Sequence, residues 1–232
     1  VGPLNLGAHG ARALGGDGSA PFGGVLALDF GPSFKYRDFS VGDVLAQALP
    51  ISATLGALAL AWALVVGLAV GIVSAVKRGS ALDLVVRVVA TLGIALPSFV
   101  VAGLLILLFC FALPWLPPAG WGDLRHLVLP AFVLGAPFAA TIARLTRAGM
   151  LEVLSQDYIR TARAKGLGER SVLFLHALKN AAVPIVTVIG IGVALLIGGA
   201  VVTESVFAIP GLGRLTIDAI VRRDYPLIQG IV

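Results

Sequence analysis

Residues 104–109 read Leu104-Leu105-Ile106-Leu107-Leu108-Phe109, inside a run from Val88 to Gly122 that carries no charged side chain over 35 positions. A lipid-facing strand alternates apolar and polar residues, and this stretch shows no alternation. A helix satisfies its own backbone and needs about 20 mainly apolar residues to cross the hydrocarbon core. Three further charge-free runs fit that length: Val44 to Val76 (33 residues), His126 to Ala143 (18) and Asn180 to Thr203 (24). Trimmed at Pro50, Pro114, Pro117 and Pro118, the runs predict spans near 53–76, 88–112, 127–148 and 182–202. Pro97 and Pro137 fall inside spans, where a kink is tolerated if neighbours satisfy the freed carbonyl. The residues after Asp224 read as the start of another span at 225–232. The expected fold is an all-α polytopic membrane protein. Met150 is the only methionine, so the chain is read as a fragment with about four complete spans plus the start of another.

Composition agrees. The 232 residues are 58% hydrophobic and 12% charged, where a soluble domain is about 25% charged; the mean hydropathy is +1.00. Disorder, collagen-like repeats and a simple nucleic-acid binder are excluded. The net charge of +5 is too sparsely carried to form a phosphate-tracking surface. Cys110 stands alone in an apolar run, which rules out a disulfide framework and a cysteine metal site. His9, His126 and His176 are too far apart in the expected topology to build a metal centre, so no metal is expected. No GxxxxGK[ST] sequence occurs, and Asp29-Phe30-Gly31 lacks the companion motifs of a kinase. If ATP drives this protein, another chain binds it.

Orientation follows from Lys and Arg in the joining segments. Segments 77–87 and 144–179 carry ten in 47 residues; 1–43, 113–125 and 204–224 carry seven in 77. The denser side is expected in the cytoplasm, despite the opposing Arg222-Arg223 pair. Residues 1–44 then form an extracytoplasmic loop segment, and 45–232 the transmembrane domain. Gly67 and Gly71 form one GxxxG, a pattern that permits close helix contact.

The cytoplasmic segment 150–181 is too polar to span. Asp157 to Lys165 favours a helix, with Ser155 or Asp157 as its cap. Gly166 and Gly168 interrupt it, and a second helical stretch runs from Glu169 to Asn180 toward Pro184. Two short helices joined at a glycine make an elbow, longer than an ordinary connection and so suited to docking.

This elbow resembles the EAA loop of ATP-binding-cassette (ABC) importer permeases, in which Glu-Ala-Ala is followed by three residues, Gly, nine residues and Ile-x-Leu-Pro. Here the pattern falls as Arg160-Thr161-Ala162, then Gly166, then His176-Ala177-Leu178-Lys179. The departures resemble the B-type permease subunit of dipeptide, oligopeptide and nickel importers. Asp29-Phe30-Gly31-Pro32-Ser33, Leu49-Pro50, the run Glu204 to Gly213, and Arg223-Asp224-Tyr225-Pro226 extend the resemblance along the chain. It implies a type I importer membrane domain in the bacterial cytoplasmic (inner) membrane. The implied partners are a homologous second permease, two ATP-binding subunits that hold ATP and Mg²⁺, and an extracytoplasmic solute-binding protein. Membrane lipid surrounds such a subunit, and it carries no catalytic residues of its own. Arg160, Thr161, Ala162, Arg163, Ala164, Lys165, Gly166, Leu167 and His176 are the implied ATPase-coupling residues. The implied cargo is a dipeptide or oligopeptide, with nickel or glutathione as alternatives within the family.

Among residues outside the elbow, Glu204 is the one candidate for substrate contact, because acids at membrane depth default to function; the alternative is a solvated cap. Ser98 beside Pro97 reads as a backbone-bonding serine. A secondary transporter would need buried charges within the spans and an intramembrane hydrolase a paired nucleophile and base; the predicted spans supply neither, apart from charges at their ends.

Overall fold

The computed structural model describes residues 32, 33, 35, 36 and 39–232, without the side chains of 191 and 194–199. Most of segment 1–44, with Asp29-Phe30-Gly31, lies outside the described residues. The described chain is helical: α1 Val41–Val76, α2 Ala81–Ala95, α3 Ser98–Ala112, α4 Leu124–Leu154, α5 Asp157–Ala164, α6 Glu169–Ala181, α7 Val183–Val206, α8 Leu212–Arg222 and α9 Tyr225–Ile231. α3 and α6 each widen to the π form for six residues, at Leu107–Ala112 and Val172–Ala177. Among the described residues two helices, α1 and α4, are long and apolar enough to cross a membrane unaided, and the bent pairs α2–α3 and α6–α7 each pass the same test together.

α1 starts earlier than the proline-trimmed 53–76. A capping box sets its first turn: the Asp43 N–H donates to Ser40 Oγ and the Ser40 N–H to Asp43 Oδ2, both at 3.1 Å. Pro50 sits inside the helix.

The expected span 88–112, with Pro97 inside it, is divided at that proline into two helices. Leu96, at φ −80 and ψ 130, is extended, as a residue before proline prefers to be. The chain bends there by 106° between α2 and α3. Pro130 and Pro137 leave α4 unbroken, since it is held along its length by α1 and, on another side, by α7. A second bend, of 51°, separates α6 from α7.

α1 and α4 form the central pair. The buried face of α1 follows Ala48, Ser52, Leu55, Ala59, Ala63, Gly67 and Gly71, a mostly small-residue stripe at three- and four-residue spacing. A Cβ on Gly67 would lie 2.8 Å from the Ala139 carbonyl oxygen, and one on Gly71 2.6 Å from Thr146 Cβ. Only glycine permits this approach. α4 answers with Gly135, where a Cβ would meet the Ala59 carbonyl oxygen at 2.6 Å. Outward, Val65, Leu104, Phe111 and Val89 remain exposed, the surface expected of helices solvated by lipid or apposed to another membrane subunit.

The two ends differ. At one, the start of α1 packs on α8 and α9 through Val41, Val44, Leu215, Ala219 and Leu227. At the other, the end of α1 and the end of α4 meet α5 and α6. The basic segments 77–87 and 144–179 share this second end, since Arg147 reaches Asp83 at 2.7 Å.

Candidate functional site

At the basic end, α4 turns at Gln156 into α5. Gln156 is extended and occupies the cap position in place of the expected Ser155 or Asp157, without a side-chain bond. α5 closes at Lys165, and Gly166 then reverses the chain at φ +79, with its N–H on the Arg163 carbonyl at 2.9 Å. That left-handed geometry is open to glycine at little cost.

Beneath the elbow lies an apolar cluster of Ile72 and Ala75 from α1, Met150 from α4, Ile159 and Ala162 from α5, and Val172, Ala177 and Ala181 from α6. Met150, Ile159 and Val172 are fully enclosed; each such side chain contributes about 1.5–3 kcal/mol relative to exposure. The elbow is therefore anchored to the helix pair.

The candidate coupling residues divide. Arg160, Thr161, Arg163, Ala164, Lys165, Gly166 and Leu167 are exposed. Ala162 is 7% exposed and faces this chain's own core, so it supports the elbow from within. His176 is half-buried, and its carbonyl accepts from Asn180 Nδ2, which also donates to the Tyr158 hydroxyl at 2.8 Å. Arg163 donates to Glu169 through Nε at 2.8 Å and Nη2 at 3.3 Å, bridging the glycine turn. That bonding raises the already high pKa of the guanidinium. Beside these, Phe174 and Leu175 are 58% and 66% exposed. Nothing in the sequence marks them for exposure, because they stand in the apolar run Val172 to Leu175, whose first residue is buried.

Two polar nodes tie the helices together. Asp83, 1% exposed, accepts from Arg147 Nε (2.7 Å) and Nη2 (3.0 Å), Ser74 Oγ (2.6 Å) and the Gly79 N–H (3.0 Å). No sequence signal pairs residues 64 positions apart, and this node was not anticipated. The other node is Glu204, fully buried at the end of α7. Ser52 Oγ donates to its Oε1 at 2.5 Å and the Arg214 N–H to its Oε2 at 3.1 Å. Ser52 Oγ in turn accepts the Leu212 N–H at 2.8 Å. Glu204 thus caps the first turn of α8 from outside that helix and joins it to α1.

The same turn explains the run from Glu204 to Gly213. A Cβ on Gly211 would fall 2.5 Å from the Glu204 carboxylate, and one on Gly213 2.5 Å from the Val201 backbone. Phe207 and Ile209 are buried, and Ala208 takes a left-handed φ of 52. At that end too, Ser33 Oγ donates to the buried Asp224 carboxylate, bringing together two stretches named in the resemblance. Asp123, before α4, has its carboxyl lowered by a hydrogen bond from His126.

Residues 67–232 match the family described as the binding-protein-dependent transport system inner membrane component.

The chain belongs to this family.

As an inner membrane component, it is a multi-pass permease domain. It is 44% identical over 205 residues to the oligopeptide transport system permease protein OppB of Salmonella typhimurium, covering 88% of this chain and 67% of that one. It is 45% identical over 206 residues to the dipeptide transport system permease protein DppB of Bacillus subtilis, covering 89% and 67%. A probable peptide ABC transporter permease protein of Sinorhizobium fredii is 43% identical over 216 residues, covering 90% and 69%.

Proposed function

We propose that this inner membrane component forms half of the translocation pathway of an ATP-driven peptide importer in a bacterial cytoplasmic membrane. The observation that carries the reading is the elbow: an exposed, basic, glycine-hinged surface rigidly rooted on α1 and α4. The relatives' names supply the cargo class, dipeptides and oligopeptides.

In this reading the elbow end faces the cytoplasm, in accord with its Lys and Arg excess, and residues 1–44 lie outside. A homologous second permease completes the pathway. Two ATP-binding subunits hold ATP and Mg²⁺, dock on Arg160, Thr161, Arg163, Ala164, Lys165, Gly166 and Leu167, and pull the elbow when they close. Phe174 and Leu175 extend the docking surface. A solute-binding protein delivers cargo at the opposite end. Movement of the elbow then reaches α1 and α4 through the shared apolar cluster, because close-packed side chains transmit displacement.

The test is uptake by proteoliposomes holding both permeases and both ATPase subunits, with binding protein and a labelled tri- to pentapeptide supplied outside and ATP inside. Accumulation dependent on all components is expected. Accumulation of nickel or glutathione with no peptide uptake would overturn the cargo assignment, and ATP-independent uptake would overturn the importer reading.

A further inference from the structure

Between α2 and α4 lies an apolar cavity of about 500 Å³ lined in part by Val85, Val89, Gly93, Leu96, Ala136 and Ala140. Only Asp83 and Ala90 of α2 are buried, so little of the helix is enclosed by the rest of the chain. A Cβ on Gly93 would lie at an ordinary 3.5 Å from Ala140. The Pro97 bend of 106° also separates α2 from α3, so α2 is a short segment with a direction of its own.

A charged contact adds to the apolar packing between α2 and α4. Asp83, in the first turn of α2, receives the forked guanidinium of Arg147 on α4, and its remaining acceptor sites take Ser74 Oγ at the end of α1 and the Gly79 N–H of the α1–α2 turn. Arg87 stands further off, its Nε 3.8 Å away and its side chain half-exposed. Arg147 lies one turn from Met150, which is fully buried under the elbow. Ser74 likewise sits between Ile72 and Ala75 of that cluster. The residues under the elbow and the residues gripping Asp83 are thus neighbours on the same two helices.

We propose that Asp83 and Arg147 are positioning residues that make α2 follow α4, so that displacement of the elbow reaches the wall of the cavity. A forked pair suits this role because its planar geometry fixes direction as well as distance. The inference rests on the importer reading above and adds the path by which ATP hydrolysis is tied to opening. Losing the pair while the apolar anchor remains leaves the elbow moving and α2 behind.

The experiment measures peptide imported per ATP hydrolysed in the complete reconstituted complex, for the wild type, R147Q and R147K. R147Q is expected to assemble and to hydrolyse ATP in response to loaded binding protein, with the ratio lowered about tenfold, the scale of one lost charge-assisted bond. R147K, which keeps the charge but not the fork, is expected between R147Q and the wild type. An unchanged ratio in R147Q overturns the proposal, as does a parallel loss of hydrolysis and uptake, which marks a merely structural contact. If R147Q fails to assemble, R147K decides: a lowered ratio supports the proposal, whereas an unchanged ratio or failure to assemble overturns it. A wild-type complex that imports no peptide refutes the importer reading instead, so the two failures are distinguishable.

Discussion

Replacing Gly166 by valine isolates the elbow turn from everything around it. No atom lies within 4 Å of the position its Cβ would take, and φ is +79, so the penalty is one of backbone conformation alone. A left-handed residue other than glycine costs roughly 1–2 kcal/mol, and a β-branched side chain sits at the upper end. That energy reduces occupancy of the observed turn by roughly 5–30-fold. The exposed Arg163–Glu169 pair across the turn resists the change weakly. Ile159 and Val172 stay buried on either side, so both helices persist while the chain between them is redirected. The assay is retention of the ATP-binding subunits by the detergent-extracted, tagged permease, alongside peptide uptake. Gly166→Val is expected to lose both while inserting in the membrane in normal amount. Gly166→Asn, which enters the left-handed region more readily, is expected to restore most of each. A Gly166→Val protein that keeps its ATPase and transports normally would refute the reasoning, because the turn would then carry no docking geometry.

Ala162 and Ala164 separate internal support from docking. Ala162→Glu forces a carboxylate into the apolar cluster at a cost of several kcal/mol if unpaired, and protease nicking of the elbow is expected even in the permease alone. Ala164→Glu is expected to leave nicking unchanged and to weaken ATPase attachment. Glu204→Ala removes the acceptor of Ser52 Oγ and the Arg214 N–H; a loss of thermal stability of about 1–3 kcal/mol per stranded group is expected. Glu204→Gln should keep the apparent KM for peptide, and a large rise in KM would mark Glu204 as a substrate contact instead. Gly71→Leu drives atoms into Thr146 and the Ala143 carbonyl, 2.6–2.7 Å from its Cβ position. A cost of about 1–3 kcal/mol or more should appear as reduced yield and melting temperature, whereas Gly103→Leu, with nothing within 4 Å, should be tolerated.

The sequence by itself determined the helical membrane class, because charge-free length is a local property and lipid leaves the backbone few alternatives. It also determined the glycine turn at 166 and the small-residue approach of α1, since a missing side chain acts wherever the chain packs. Tertiary structure alone decided the rest. Pro97 breaks its span and Pro137 does not, though both read alike in sequence: the first follows an extended Leu96, the second lies in a helix gripped by α1 and α7. Ala162 belongs to the predicted docking stretch but points inward, because α5 rotates to bury Ile159 and Ala162 together. Glu204 meets Ser52 across 152 positions, and Asp83 meets Arg147 across 64. Hydropathy and spacing encode how far each helix runs. Which polar residue meets which partner depends on how the helices cross, and that is set by packing between segments distant along the chain.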